Sequence, residues 1–184
     1  MEINSASGAC SAGIQALKFG YLSVLSGSAN NAVCTGSERF SRWMLAKFFK
    51  EEAAKVARLE GDGIIAFEKD FLRFMLSDGA GAALLQSAPN PSGLSLKIEW
   101  IEQRSFANEL PTCMYAGAIK EPNGDFVGWP DLDQDQWSSQ SVFAIKQDTK
   151  LLGDFIVKKS IEFMKEIGET KGFDFEKLTY FLPH

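Results

Sequence analysis

The stretch 2-EINSASGACSAGIQAL-17 decides the fold, because it places a cysteine where a run of small residues passes into a helix. Cys10 has only small neighbours, namely Ala6, Ser7, Gly8, Ala9, Ser11, Ala12 and Gly13. Apolar residues then recur with helical spacing at Ile14, Leu17, Tyr21, Val24 and Leu25. This stripe, closed by a glycine at position 27, predicts a helix over 11–26.

The position of Cys10 also indicates chemistry. A thiol at a helix N-terminus faces unpaired backbone N–H groups and the positive end of the helix dipole, and both favour the thiolate. The small neighbours would let an extended acyl chain reach the sulfur. The alternative is a buried structural cysteine, which is a common core residue.

The segments that follow predict further strands and a second helix. Residues 31–38 (NAVCTGSE) are a short apolar run between turn formers and predict a buried strand. The spacing of apolar residues predicts a helix over 41–60. Residues 78–87 (DGAGAALLQS) predict a strand packed so closely that only Gly and Ala fit, and the alternation of 94–103 (LSLKIEWIEQ) predicts a half-buried strand.

The rest of the chain predicts a long loop, a helix and a last strand. Residues 105–140 mix Pro, Gly and Asn with aromatic residues, show neither period and predict a long surface excursion. A sustained apolar stripe over 152–167 predicts a helix that Gly168 ends. Asp174 is expected to cap a short turn, and 177–184 (KLTYFLPH) is expected to form a final strand. The order of elements predicts a mixed α/β fold.

Composition excludes several classes of function. The 184 residues, 45% hydrophobic and 23% charged, have the balance of a soluble globular protein. A net charge of −5 argues against a nucleic-acid partner, because no basic stripe is present to neutralise phosphates. No apolar run has the length of a membrane span, and no signal-peptide pattern is seen. The three widely spaced cysteines do not suggest a disulfide framework, so a cytoplasmic location is expected.

Other candidate sites in the sequence are weak. The aspartates do not show metal-ligand spacing; they are Asp62, Asp78, Asp131, Asp133 and Asp135. Residues 131–136 (DLDQDQ) lack the central Gly and the terminal Glu of a calcium loop and predict a solvated acidic loop. The glycines of 77–82 run into a strand pattern, which does not suit a phosphate loop. Cys34 and Cys113 are expected to be structural, and no metal site is expected.

His184 is the only histidine, so any Cys/His chemistry in this chain pairs it with Cys10. A histidine at a chain end is most often a surface group. At the tip of an apolar strand, after Pro183, it could instead direct an imidazole into a site.

Four motifs taken together resemble the thiolase superfamily, and in particular the ketoacyl-acyl-carrier-protein synthase III group of condensing enzymes. In chain order the motifs are 5-SASGACSAGIQAL-17, 32-AVCTGSE-38, 76-LSDGAGAALL-85 and 177-KLTYFLPH-184. That group has a nucleophilic cysteine in a similar setting, a strand ending in G-S-D/E, a D-G-A-G-A strand and a P-H motif. Four motifs in the family's order are more specific than any one of them.

The resemblance implies a thiolase-like αβαβα sandwich, here incomplete. Residues 1–87 would be the remainder of the N-terminal half, and 88–184 the first part of the C-terminal half. Cys10 would be the nucleophile and His184 the catalytic histidine. Gly79 and Gly81 would be structural glycines of a packed strand.

The implied activity is that of a β-ketoacyl synthase, an acyltransferase of fatty acid or polyketide-type biosynthesis. Its substrates would be an acyl-CoA or acyl-carrier-protein thioester and malonyl-acyl-carrier protein, and it would act as a homodimer without a cofactor. Family members have most of a half-domain before the nucleophile, and an Asn and a glycine-rich loop after the histidine. We therefore expect the chain to be a fragment with little activity alone. Two alternatives stay open: a non-catalytic thiolase-like interaction partner, and a cysteine acyltransferase that does not decarboxylate malonate.

Overall fold

The computed structural model describes residues 2–8, 10–45 and 75–182. The chain divides into two compact units. The first comprises 1–44 and 73–101, and the second comprises 45–72 and 102–184. Helices and antiparallel strands are mixed, as the sequence predicts. Beyond Leu45, the predicted helix over 41–60 lies outside the described residues.

The first unit is a helix on a two-stranded antiparallel sheet. Helix α1 spans Ala12–Leu25, strand β1 spans Asn31–Glu38, and strand β2 spans Gly79–Gln86. The two strands pair along their whole length, from Asn31 opposite Gln86 to Glu38 opposite Gly79. The helix and both strands confirm the elements that the sequence predicts at these positions.

Helix α1 meets the sheet closely at Gly20, which is the buried residue of the helix. A methyl group at Gly20 would overlap the Cys34 Sγ atom and lie 3.3 Å from Ala32 Cβ and from Leu85 Cδ1. Any side chain would therefore push the helix away from the strands. The absence of a Cβ atom at this position allows the helix to pack directly on the sheet.

The other face of the sheet is open in the part of the chain that the structure describes. Val33 and Leu84, which are opposite one another in the ladder, are 67% and 60% exposed. The expectation that 31–38 is a buried strand is therefore wrong, because only one face of β1 is covered. The close packing expected at Gly79 and Gly81 is wrong as well, since a Cβ atom at either would meet nothing within 4 Å.

The ends of β1 and β2 are joined by a hydrogen-bonded clamp. A single 3₁₀ turn, Phe40–Arg42, follows β1. The carboxylate of Asp78, just before β2, accepts hydrogen bonds from the backbone N–H and the hydroxyl of Ser41, both at 2.7 Å. These bonds, the backbone one first, lower the pKa of Asp78 below its ordinary value. Asp78 thus has a structural role.

The predicted strand over 94–103 is wrong. Within the described ranges, no backbone–backbone hydrogen bond joins this segment to another element. Leu94 and Leu96 are 91% and 86% exposed. The carbonyl of Glu99 accepts a long hydrogen bond of 3.4 Å from the Tyr21 hydroxyl. Alternating side chains favour an extended conformation, but a strand also needs a neighbour to complete its ladder.

Among its described residues, the second unit contains four short strands and two helices. Strands β3 (Met114–Tyr115) and β6 (Lys146–Gln147) form one antiparallel pair, and β4 (Ala118–Lys120) and β5 (Phe126–Gly128) form another. A 3₁₀ turn (Trp129–Asp131) and helix α2 (Gln134–Ser139) come next, and helix α3 spans Thr149–Lys171. The region predicted as a long surface excursion, 105–140, has no buried residue, but it contains more regular structure than a loop would, namely these short strands, the 3₁₀ turn and α2.

Aromatic packing accounts for part of the regular structure in this region. The ring centroid of Trp137 lies 5.5 Å from that of Trp129 and 5.6 Å from that of Phe143, both edge to face. The Trp137 indole N–H donates to the carbonyls of Trp129 and Leu132 at 3.0 and 3.2 Å. Val142, next to this cluster in the sequence, is completely buried. These contacts follow neither a helix nor a strand period, so the sequence pattern did not reveal them.

Helix α3 is longer than predicted. It continues through Gly168 and ends before Gly172, whose left-handed φ of 62° is the usual helix C-terminal conformation. A Cβ atom at Gly168 would lie 3.2 Å from the Phe173 carbonyl oxygen, so this glycine permits a close approach and does not end the helix. Asp174 caps the next turn by accepting from the Glu176 N–H at 3.0 Å, which confirms the predicted cap.

Ion pairs fasten the segment 102–110 to helix α3. Arg104 pairs with Glu166, Glu102 pairs with Lys171 at 2.5 Å, and Glu109 pairs with Lys159 at 2.6 Å.

The strand predicted over 177–184 is wrong as far as residue 182, where the structure has no strand, and the last two residues lie outside the described part. No helix among the described residues is long and apolar enough to cross a membrane.

Candidate active site

The predicted nucleophile lies at the start of helix α1. Cys10 is exposed and directly precedes Ser11, the N-cap residue, and the helix begins at Ala12. The helix therefore starts beside the sulfur, as the sequence predicts. Because Cys10 is exposed, the alternative that it is a buried structural cysteine is wrong.

A pair of polar side chains that the sequence analysis missed supports this turn. The Gln15 side-chain amide donates to the Ser11 hydroxyl at 3.2 Å, and the Ser11 hydroxyl makes no capping hydrogen bond to the first turn. The first backbone bond of the helix runs from the Gln15 N–H to the Ser11 carbonyl at 3.0 Å. The spacing of four residues between two polar side chains could have indicated the pair.

Gly8 allows the chain to pass close to this pair. Its φ of 149° is a conformation that other residues rarely adopt, and a Cβ atom there would lie 3.3 Å from Gln15 Nε2 and 3.5 Å from Ser11 Oγ. Gly8 therefore has a structural reason to be small, because a larger side chain there would meet Gln15 and Ser11. The Cys10 thiol is left accessible from solvent.

The arrangement can support nucleophilic chemistry at sulfur. The backbone N–H groups at the start of α1 have no side-chain cap from Ser11 and carry partial positive charge. The thiolate is the nucleophilic form of cysteine, and an exposed thiolate can attack a bulky thioester.

The other two cysteines have structural surroundings. Cys34, on β1, is half-buried where α1 packs on the sheet at Gly20. Cys113, also half-buried, donates from Sγ to the Asp148 carbonyl at 3.3 Å and accepts from the Gln147 side-chain amide at 3.0 Å. These contacts agree with the structural roles that the sequence suggests for both.

His184, the predicted catalytic partner, lies outside the described residues, as does Pro183. Whether its imidazole meets the Cys10 sulfur in one pocket therefore stays a prediction. The assignment of 1–87 and 88–184 to two thiolase-like halves stays a prediction as well.

The aspartates of 131–136 are exposed to solvent, as expected, but the expectation of a loop is wrong, because they lie in a 3₁₀ turn and at the start of α2. Asp133 is the N-cap of α2, and its side chain accepts from the backbone N–H of Gln136. Gln136 in turn accepts from the Asp133 N–H at 3.0 Å, which completes a capping box. In the described ranges, no group of three or more His, Cys, Asp or Glu side chains could hold a metal ion, and Asp62 lies outside them.

The second unit has an open groove of about 490 Å³ between the loop before β3 and the β4–β5 hairpin. Its lining is formed mainly by Phe106, Leu110, Pro111 and Phe126, with Thr112 and Asp125 as polar members. Among the described residues that line it there is no cysteine, so this lining offers no nucleophilic thiol.

No protein-family model matches the chain, and no curated protein sequence matches it significantly. A functional assignment therefore depends on the four sequence motifs and on the local structure around Cys10.

Proposed function

We propose that the chain is a condensing enzyme of the thiolase superfamily, similar to ketoacyl-acyl-carrier-protein synthase III, with Cys10 as its acyl-accepting nucleophile. The observation that carries the proposal is the exposed Cys10 thiol directly before the N-cap of α1. A cysteine in this position is accessible to a bulky thioester substrate.

The surface of α1 supports the finer fold proposal. Four of its large apolar side chains are about half exposed or more: Ile14 at 47%, Phe19 at 53%, Leu22 at 48% and Leu25 at 67%. A helix that is apolar on the face toward a sheet and also on its other side suits a position between two layers. The central helices of a thiolase-like αβαβα sandwich have this position.

The order of the elements supports the same proposal. The small-residue turn and α1 are followed by β1, which carries AVCTGSE, and by β2, which carries GAGAALL. The two motif strands are antiparallel neighbours, and the helix that begins after Cys10 packs on them at Gly20. Three of the four motifs thus belong to one compact unit.

The proposed reaction has two stages. The Cys10 thiolate attacks the carbonyl carbon of an acyl thioester, the carbon–sulfur bond of the donor breaks, and the donor leaves as a thiolate that takes up a proton from solvent. Malonyl-acyl-carrier protein then loses carbon dioxide, and its enolate carbon attacks the acyl-Cys10 carbonyl. The new carbon–carbon bond releases the Cys10 thiolate.

His184 is proposed to donate a hydrogen bond to the thioester oxygen while negative charge develops on it. Loss of one such donor costs about 10²–10³ in rate. The backbone N–H of Cys10 is proposed to stabilise the other oxyanion, on the acyl-cysteine carbonyl. A homodimeric assembly and a cytoplasmic location belong to the same proposal.

The acyl-transfer stage is tested by incubating the chain with an acyl-CoA thioester and measuring the acylated mass by intact and peptide mass spectrometry. We expect an acyl group on Cys10 and none in Cys10→Ala. Ser92→Cys, placed in an exposed turn, supplies a reference thiol in the same molecule. Acylation of Cys10 no faster than that of this introduced thiol would overturn the proposal, because exposure alone would then explain the transfer.

The condensing stage is tested by carbon dioxide release from malonyl-acyl-carrier protein. From the resemblance we expect little release by the chain alone and a large increase with a longer protein that joins this chain to the Asn and the glycine-rich loop of the family. His184→Ala in the longer protein should reduce release by about 10²–10³. Acylation of Cys10 with no release even by the longer protein would identify a cysteine acyltransferase in place of a condensing enzyme.

A further inference from the structure

The thiol of Cys113 and the side chain of Gln147 lie together at one end of the β3–β6 pair. We propose that Cys113 is a site of oxidation by hydrogen peroxide, and that the Gln147 side-chain carbonyl accepts a hydrogen bond from the resulting sulfenic acid. Gln147 belongs to β6, Cys113 directly precedes β3, and the Asp148 N–H donates to the Cys113 carbonyl at 2.8 Å. The proposal does not rest on the condensing reaction.

The hydrogen bonds of the Cys113 sulfur have a definite direction. The Gln147 side-chain amide donates from Nε2 to Cys113 Sγ at 3.0 Å, and Sγ donates to the Asp148 carbonyl at 3.3 Å. The single proton of the thiol is therefore directed at Asp148. Because the amide nitrogen and oxygen of Gln147 are bonded to the same carbon atom, the oxygen also lies near the sulfur.

A second observation shows that a hydrogen-bond donor is missing at this place. Gln147 is only 8% exposed, and its side-chain carbonyl oxygen is buried without a hydrogen-bond partner. Native proteins rarely leave a buried acceptor in this condition, because the cost of removing it from water is then not repaid. The Cys113 thiol does not supply the donor, since its proton is directed at Asp148. A hydroxyl group attached to the sulfur would supply it.

A sulfenic acid is such a group. The thiolate form of Cys113 attacks one oxygen of hydrogen peroxide, the oxygen–oxygen bond breaks, and the leaving hydroxide takes up a proton to become water. The sulfur is oxidised and the peroxide is reduced by the same electron pair. The new hydroxyl is bonded directly to Sγ, from where it can donate to the Gln147 carbonyl oxygen.

The surroundings of Cys113 suit a small oxidant better than a large one. Cys113 is half-buried, and the adjacent Thr112 lines the open groove of about 490 Å³. A sulfenic acid is readily lost by condensation with a second thiol. Half-burial restricts the approach of a thiol from another molecule, whereas the exposed Cys10 has no such protection. We therefore expect the sulfenic acid of Cys113 to persist.

Persistence is measured in the wild-type chain at low protein concentration. The protein is treated with hydrogen peroxide, catalase removes the excess, and dimedone, which labels sulfenic acids, is added after increasing delays. Peptide mass spectrometry then gives the labelled fraction at each cysteine. The half-life of the sulfenic acid at Cys113 should exceed that at Cys10 by about fivefold or more, a ratio that one hydrogen bond supports.

Substitution of Gln147 tests the hydrogen bond itself. Gln147→Leu removes the acceptor at a similar side-chain size and should shorten the half-life at Cys113 by about fivefold. Gln147→Glu keeps a side-chain oxygen as acceptor and should stay closer to wild type. Gln103→Leu, at another half-buried glutamine of the second unit, is the matched control and should leave the half-life unchanged. Near-UV circular dichroism checks that each variant keeps the native packing.

Three outcomes would overturn the proposal. These are no dimedone label on Cys113 at any delay, a half-life at Cys113 no longer than that at Cys10, or equal half-lives in natively packed Gln147→Leu and Gln103→Leu. If Gln147→Leu does not fold, the comparison of Cys113 with Cys10 in the wild-type chain decides. Acylation of Cys10 is measured without peroxide, so the oxidation site and the proposed function can fail separately.

Discussion

The two units of the molecule bury their apolar residues differently. In the first unit, one helix covers one face of two strands, and large apolar side chains such as Leu25, Val33 and Leu84 stay mostly exposed. In the second unit, short elements enclose Val142 and Ala144 completely. Among the described residues, the first unit leaves much of its apolar surface uncovered, and the second has a small core of its own.

The difference shows that a recognisable motif and a complete core need not occur in the same part of a chain. The first unit carries Cys10 and three of the four motifs, yet Gly20 is the single buried residue of its helix. The second unit carries the stretch with the least regular sequence, 105–140, yet that stretch is held by aromatic rings and turn hydrogen bonds. Ordered structure there depends on contacts that have no fixed spacing.

Loss of Trp137 should have the largest effect and should be confined to the second unit. Trp137→Ala removes two edge-to-face ring contacts and two hydrogen bonds, and we expect the free energy of unfolding to fall by about 3 kcal/mol. Denaturant titration followed by near-UV circular dichroism measures it. Trp137→Phe keeps a ring and should lose less. Equal losses in the two variants would contradict the role given to the ring contacts.

Gly20→Ala should disrupt the first unit. The added methyl overlaps Cys34 Sγ, so we expect a loss of about 2 kcal/mol from overpacking. Gly13→Ala is the control in the same helix, because a Cβ atom there meets nothing within 4 Å, and it should be neutral or stabilising. Cys34→Ala added to Gly20→Ala should recover part of the loss. If Gly13→Ala and Gly20→Ala behave alike, close packing of α1 on the sheet is refuted.

Lys159→Met should weaken attachment of the segment 102–110 to α3. Lys159 is 17% exposed, pairs with Glu109 and Glu162, and lies 4.9 Å from the centroid of the Phe106 ring. The hydrogen bond from Lys159 to Glu109, followed by that to Glu162, raises the pKa of Lys159. Its stabilising effect is complete below its ordinary pKa and is lost as pH rises through the raised value. Lys150→Met is the control.

The measurement is the midpoint of urea unfolding at neutral pH, where both lysines are charged. Lys159→Met should lower the midpoint more than Lys150→Met, because Lys150 is 87% exposed and has one partner on the same helix. The reverse order would contradict the idea that the ion pairs hold the segment to the helix.

Asp78 should give the smallest effect, and that effect should depend on pH. Its pKa is lowered in the folded state, so its contribution to stability is complete above the ordinary value of 3.8 and is lost as pH falls through the lowered value. Asp78→Asn should destabilise the protein at about pH 6, and the difference from wild type should shrink toward about pH 3. Ser41→Ala removes the hydroxyl hydrogen bond to Asp78, so the free energy of unfolding of this variant should also depend less on pH than that of wild type. A difference that does not change with pH would exclude the Ser41 hydrogen bonds as its cause.

Much of the first unit could be predicted from the sequence, because its elements depend on local patterns. The stripe after Cys10 predicted α1, and the apolar runs predicted β1 and β2 within a residue or two. The 94–103 strand failed because a ladder depends on a neighbour that no local pattern reports. The missed Ser11–Gln15 pair depends on side-chain orientation, which apolar spacing does not report.

By itself, the sequence determined where helix α1 begins and that a cysteine lies just before it, because small residues and an apolar stripe act over a few residues; the exposure of that thiol came from the structure. It also determined the motifs that resemble condensing enzymes. Only the tertiary structure decided that β1 pairs with β2 and not with 94–103, and that 105–140 is ordered. The physical reason is that strand pairing and ring packing join residues far apart in the chain, so their stability depends on which surfaces meet and not on the period of either segment.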